Sequence, residues 1–184
     1  MNNPELWDIL VDSDTYRVFD PKGPSRTIEF VKMFSSNEPL LDSWEIPDLG
    51  LFKYEGEEKK PLADFMSGFD IMTISSNAMK ILKKTVEKDV DFLPLRTEAG
   101  PYYALHVKVI DCLDKERSIV ERARDESIIG VDKYAFDWDV LKNVNMFRVK
   151  ELGLSRLLVS DIFKRTYEKN KLNGLIFYPV HLVE

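Results

Sequence analysis

The chain has 184 residues, of which 44% are hydrophobic and 11% aromatic, as in folded globular proteins rather than disordered ones. Acidic residues outnumber basic ones by 32 to 26, and an acidic surface disfavours nucleic acid and anionic membranes because phosphate groups repel it. No apolar run approaches the roughly 20 residues that cross a bilayer, and the first residues lack the pattern of a signal peptide. We therefore expect a soluble cytoplasmic protein that binds neither nucleic acid nor membrane.

The first third of the sequence shows no clear periodicity. We predict an irregular segment, 1–60, that packs on a main domain, 61–184, within one continuous structural domain. Residues 16–19 fit a short strand that stops at a turn over 20–24, because Pro and Gly favour turns there. The apolar residues of 27–34 fit neither a helical nor a strand period, so both interpretations stay open.

From residue 69 onward, one pattern occurs twice. An apolar strand, a serine, an amphipathic helix and a second strand follow one another over about 69–95 and again over about 157–180. The two copies align without a gap, which places Ser75 on Ser160. A serine between a strand and a helix can cap the helix by accepting a hydrogen bond from one of its first N–H groups. We predict that both serines are N-caps and that each unit is a strand–helix–strand crossover.

Other elements lie within and between the two units. Pro94 predicts the edge or the end of a sheet strand, because proline cannot donate to a neighbouring strand. Residues 102–110 alternate between apolar and mixed side chains, which predicts a half-buried strand with His106 on the mixed face. Residues 118–124 and 128–136 predict a hairpin, and a helix over 115–124 stays open as the alternative. Two such units need a sheet to cover, so we predict an α+β fold with helices packed on a mixed or largely antiparallel sheet.

Residues that could carry chemistry are few and scattered. His106 and His181 have no metal-ligand partner at a recognisable spacing, and the lone Cys112 lies in an apolar run that predicts a buried, unreactive thiol. Ser75 and Ser160 could be nucleophiles, but no base is placed to activate either of them. The sequence has no P-loop, no dinucleotide-binding glycine motif and no nucleophile elbow. We expect no catalytic residue, no cofactor and no bound metal.

Two tryptophans fit protein recognition better. Trp138 lies between Asp137 and Asp139, and Trp44 lies beside Glu45. Aromatic side chains ringed by charge are frequent at binding hot spots. We take Trp138, Asp137, Asp139 and Trp44 as candidate partner-binding residues, against the plainer alternative that a tryptophan is packed in the interior.

Several segments follow one another in an order and spacing that match a known family. They are 60–65, 74–75, 90–95, 102–107, 109–114 with Ser118 after it, 146–149, 158–160 and 172–179. Together they cover roughly 62–180, and they resemble the immunity proteins of bacterial polymorphic toxin systems, formerly a domain of unknown function. The N-terminal third matches no part of that pattern.

The resemblance implies an α+β protein without catalytic activity that binds and neutralises a partner toxin, encoded beside it. It carries over no functional residue, because the matching positions are structural. A non-enzymatic immunity protein is therefore the leading hypothesis. The sequence sets neither the identity of the toxin nor the oligomeric state.

Two other functions stay open. A hydrolase or transferase would use dispersed residues, such as His106 with Asp111 or Asp114, and would need another element to cover the strand face that carries His106. A scaffold protein would use the repeated unit to dimerise.

Overall fold

The computed structural model describes residues 5–22, 27–68 and 71–183. The elements of the N-terminal third are β1 (Leu6–Val11), β2 (Phe19–Pro21), α1 (Thr27–Phe34) and β3 (Asp48–Leu51). Next come β4 (Phe65–Gly68), β5 (Ile71–Ser75), α2 (Ser76–Val86), β6 (Val90–Thr97), β7 (Tyr102–Val107) and β8 (Val109–Ile110). The last are β9 (Ile119–Arg122), β10 (Ile128–Lys133), β11 (Met146–Val149), β12 (Leu158–Ser160), α3 (Asp161–Lys169) and β13 (Leu175–Pro179). The fold is α+β, as the sequence predicts.

Both predicted N-caps are confirmed. The hydroxyl oxygen of Ser75 accepts a hydrogen bond from the backbone N–H of Ala78 at 3.1 Å, and that of Ser160 accepts one from Phe163 at 3.3 Å. Each serine thus pairs one of the N–H groups that a helix leaves unsatisfied at its start. Phe69, which the sequence places at the start of the first unit, lies outside the described residues.

Each repeated unit contributes two parallel strands that flank one antiparallel strand from elsewhere in the chain. In the first unit, β5 and β6 both pair antiparallel with β7. In the second unit, β12 and β13 both pair antiparallel with β1. The strand orders are β2-β3-β6-β7-β5-β4 in one sheet and β13-β1-β12-β11-β8 in the other. The predicted crossovers are present, each with a third strand inserted between its parallel strands.

A central core joins the two units, because both helices and both sheets contribute to it. Its most deeply buried side chains are Ile9, Phe65, Ile74, Ala78, Leu82, Val107, Met146, Val159 and Phe163. Fully burying one large aliphatic or aromatic side chain is worth roughly 1.5–3 kcal/mol, so this cluster is a main source of stability.

The outer face of the first sheet is covered by the N-terminal third. α1 and the loop after it bring Phe30, Phe34 and Leu40 against Leu93 and Ala104. The structure thereby decides the ambiguous run at 27–34 in favour of a helix. The prediction that β7 is half-buried is wrong, because α1 covers the face that the alternation indicated as mixed.

The outer face of the second sheet is covered by the hairpin of β9 and β10 and by the loop that follows it. These strands pair antiparallel, as predicted. Phe136 and Leu141 of the loop pack with Phe147 and Leu158 of the sheet. None of the described helices has the length and apolar character to cross a membrane.

Two prolines show how strand edges are used. β3 pairs with β6 only at Arg96 and Thr97, so the side of β6 beside Pro94 has no strand partner among the described residues, in agreement with the predicted edge position. The strand expected at 16–19 runs instead over Phe19–Pro21. Among the described strands β2 pairs only with β3, and such an edge strand tolerates proline. Gly23 and Pro24, the end of the expected turn, lie outside the described residues.

Candidate partner-binding site

Trp138 lies at a groove formed by two loops, one after β8 and one after β10. Its ring packs edge-on against Phe136 with 5.6 Å between ring centroids, and the side chain remains half-buried. The groove has a volume of about 520 Å³. Four carboxylates line it beside the indole ring: Asp111, Asp114, Asp137 and Asp139.

Backbone hydrogen bonds hold the two walls of this groove together. The N–H of Asp137 donates to the carbonyl oxygen of Cys112, and the N–H of Asp114 donates to that of Ala135, both at 2.9 Å. A β-bridge between Leu113 and Phe136 lies within this ladder. These bonds therefore fix the distance between the two loops that carry the carboxylates and the indole ring.

The groove is negatively charged. Asp111 pairs with Lys150 at 2.6 Å, and the hydrogen bond from that lysine lowers the pKa of Asp111 below its ordinary value. Arg117 is the one basic residue among the groove's lining residues, against four acids. Such a surface attracts a basic side chain of a partner.

Trp44 lies in a different part of the molecule. Its indole N–H donates to the carbonyl oxygen of Pro94 at 2.8 Å. Its ring packs against Phe30 and Phe34 with centroid distances of 5.8 and 6.0 Å. Trp44 thus belongs to the cluster that covers β7, and the structure does not bring it to the groove of Trp138.

His106 is buried on the face of β7 that α1 covers, with 4% of its surface exposed. Its Nε2 lies 2.8 Å from the carbonyl oxygen of Ser36, and a carbonyl can only accept, so Nε2 carries a proton. Its Nδ1 lies 3.4 Å from Oδ2 of Asp91. The two acids proposed as its catalytic partners, Asp111 and Asp114, line the groove of Trp138 instead.

Cys112 is buried, as predicted, with 2% of its surface exposed. Burial first, and then the negative charges of Glu151 and Asp111, raise the pKa of its thiol to about 12. Only the thiolate is an effective nucleophile or metal ligand, so this cysteine is unreactive at neutral pH. The described residues contain no group of three or more His, Cys, Asp or Glu side chains that could hold a metal ion.

Comparison with known protein families identifies the class of protein. The model of an immunity protein family, Imm11, matches residues 12–181. The chain belongs to the Imm11 immunity protein family. A search among curated proteins finds no significant match.

Membership of Imm11 confirms the resemblance and corrects its extent. The match begins at residue 12, so the N-terminal third belongs to the Imm11 pattern, whereas the sequence comparison began only near residue 62. The N-terminal third is an integral part of this domain, because β2 and β3 belong to the first sheet and α1 covers one face of that sheet. Imm11 membership favours toxin neutralisation and a non-catalytic role.

Sequence reasoning missed one charged residue of this Imm11 member that the structure makes conspicuous. Arg148 is 4% exposed and lies in β11 between Phe147 and Val149. An arginine inside a short, otherwise apolar strand was the signal that could have found it.

Proposed function

We propose that the protein is an immunity protein that forms a stable complex with a partner toxin in the bacterial cytoplasm and blocks it without catalysis. The toxin is the product of a neighbouring gene. The observation that carries this proposal is the family match over nearly the whole chain, residues 12–181.

The groove of Trp138 is the proposed contact surface. An indole ring that is half-buried and anchored on Phe136 offers a large apolar area at a small cost in side-chain entropy. Asp137 and Asp139 flank that ring and are exposed. We therefore expect a basic segment of the toxin to sit over Trp138, with the acids accelerating encounter and the ring slowing dissociation.

Trp44 stays in the proposal as a separate candidate contact. Its ring is half-buried, so one part packs on α1 while another part is accessible to a partner. A role for both tryptophans would require the toxin to contact two separate parts of the surface, the loop after α1 and the loop after β10.

The experiment is co-expression with the product of the adjacent gene. We expect that product to arrest growth alone, and we expect growth to return when the immunity protein is present, together with co-purification of the two chains. A titration of toxin activity separates binding from catalysis: a stable complex inhibits in proportion to the amount added, with an end point near one to one. An enzyme that inactivates the toxin would act far below that ratio. Absence of both toxicity and binding would overturn the proposal.

A further inference from the structure

Arg148 is a buried cation without a carboxylate partner among the described residues. The residue is 4% exposed, and both hydrogen bonds from its guanidinium to described residues leave from Nη1. These bonds reach the carbonyl oxygens of Leu154, at 2.8 Å, and of Arg156, at 3.5 Å. Nε is buried and has no hydrogen-bond partner within the part of the chain that the structure describes.

Such an arrangement is costly. A guanidinium has five N–H donors, and taking a charge out of water is unfavourable unless the charge is paired. Burial lowers the pKa of Arg148 to about 10, which still leaves it charged at neutral pH. Two carbonyl dipoles on one nitrogen offset only part of this cost.

Arg148 also lines a pocket of about 330 Å³ where the two sheets meet. β1 and β11 form one side of it, and the strands β4 and β5 form the other. Ser13 and Ser67 share the lining with Arg148, and so does Ser155, whose hydroxyl already donates to the carbonyl oxygen of Leu152. Hydroxyl groups and a guanidinium edge are donors suited to an oxyanion.

We propose that the pocket between the two sheets binds a small oxyanion, a carboxylate or a phosphate, with Arg148 as its principal donor and the serine hydroxyls as secondary ones. The ligand would accept hydrogen bonds from the guanidinium N–H groups that do not bind Leu154 or Arg156, and its negative charge would neutralise the buried guanidinium. This site is separate from the groove of Trp138 and does not depend on the proposed function.

A purely structural role for Arg148 makes a different prediction. The bond from Nη1 to Leu154 ties the loop after β11 to the sheet, so loss of the side chain would destabilise the protein in any buffer. A structural role alone gives no dependence on the kind of anion.

The test measures thermal unfolding and calorimetric binding of the full chain with sodium phosphate, sodium acetate or sodium glutamate, against sodium chloride at equal ionic strength. We expect one of the oxyanions to raise the melting temperature saturably, by the linkage between ligand binding and folding. The same anion should shift the Nε–H resonance of Arg148 in a ¹⁵N NMR spectrum. Phosphate alone or a carboxylate alone as the active anion identifies which of the two chemistries the pocket takes.

Three variants complete the test. Arg148→Lys keeps the charge but loses the planar fork, so we expect at least a roughly ten-fold loss of affinity. Arg148→Met should abolish saturable binding, and Arg96→Met, which removes an exposed arginine of the first sheet, should leave it unchanged. Should Arg148→Met not fold, the NMR shift and Arg148→Lys decide the matter. Equal effects of all anions and chloride on the wild type, or equal affinity in Arg148→Lys, would overturn the proposal.

Discussion

Ser75 and Ser160 occupy the same place in the two repeated units and make the same pair of contacts. Each accepts a hydrogen bond from its own helix, and each donates one at 2.7 Å, Ser75 to Asp64 and Ser160 to Asn145. Asp64 lies directly before β4 and Asn145 directly before β11, the strands that pair with the first strands of the two units. The repetition seen in the sequence is therefore a repetition of hydrogen bonds as well as of elements.

These contacts also cross from one unit to the other. Asp64 accepts from the backbone N–H of Asn173, which follows α3. Asn145 and Met146 donate their backbone N–H groups to Asp89, which follows α2. The start of each helix is thus linked to the chain just after the other helix, so that the two units stabilise one another.

Removing either cap should destabilise the protein. We expect Ser75→Ala and Ser160→Ala each to lower the free energy of unfolding by about 2 kcal/mol, because a cap and a partly buried side-chain hydrogen bond are lost together. Urea unfolding measures this change. Ser76→Ala, one residue into α2, is the matched control and should cost well under 1 kcal/mol, since it removes no cap. An equal loss of unfolding free energy in all three variants would contradict the assignment of Ser75 and Ser160 as helix caps.

Gly174 is a position where glycine is required. Its φ is +98°, and a Cβ built there would lie 2.2 Å from the carbonyl oxygen of Phe65. We expect Gly174→Ala to cost about 3 kcal/mol or more, from backbone strain together with the clash against backbone. Gly100→Ala has a similar φ, +100°, but open space, so it should cost only about 1 kcal/mol. Similar losses in both variants would show that the close approach to Phe65 does not matter.

The stability conferred by Asp89 should depend on pH. Burial raises the pKa of this carboxyl above its ordinary value, against the opposing effect of its two backbone hydrogen bonds. A raised pKa means that the folded protein binds the proton more readily, so this contribution to stability is lost as pH rises through the folded pKa. Asp89→Asn keeps an accepting oxygen and cannot ionise. Its free energy of unfolding should therefore rise relative to wild type between about pH 3 and pH 7. A difference that stays constant over this range would disagree with the raised pKa.

Exchange of Trp138 should weaken the toxin complex. We expect Trp138→Ala to raise the Kd by about 30-fold or more, mainly through faster dissociation, as for an aromatic hot spot. Asp137→Asn with Asp139→Asn should slow association and reduce its salt dependence. Surface plasmon resonance against the purified toxin separates the two rates.

Trp44→Ala is the comparison for that experiment. Because Trp44 packs on Phe30 and Phe34, we expect this variant to lose about 2 kcal/mol of stability. A larger effect of Trp44→Ala than of Trp138→Ala on toxin affinity, in folded variants, would transfer the contact surface to the α1 side.

Cys112 should not react with thiol reagents in the folded protein. Its pKa of about 12 and its burial leave almost no accessible thiolate at pH 8. We expect labelling by Ellman's reagent only at the rate of unfolding, and complete labelling in 6 M guanidinium chloride. Rapid labelling of native protein would contradict the burial.

Local patterns made the repeated part of this fold predictable. A capping serine and a helical stripe are properties of neighbouring residues, so Ser75, Ser160 and both helices could be placed from the sequence. The packing of α1 on the second face of β7 could not be predicted in this way, because the two elements are distant in sequence and meet only in the folded protein. β1 was missed for the same reason, since the strands that make it part of a sheet lie near the other end of the chain.

The candidate site follows the same division. Trp138, Asp137 and Asp139 are adjacent in sequence, so they could be named together as candidates. Asp111 and Asp114 join them only because two loops run side by side, as the hydrogen bond from Asp137 to Cys112 shows. Arg148 was missed because burial of a charge is a property of the assembled sheets.

The position of β1 has a consequence for synthesis. β1 separates β12 from β13, so during translation it has no pairing partner among the described strands until β12 and β13 have been synthesised. A chain interrupted before β12 would expose this apolar strand and be a target for aggregation and proteolysis. The second sheet is therefore complete only when β1 has paired with β12 and β13.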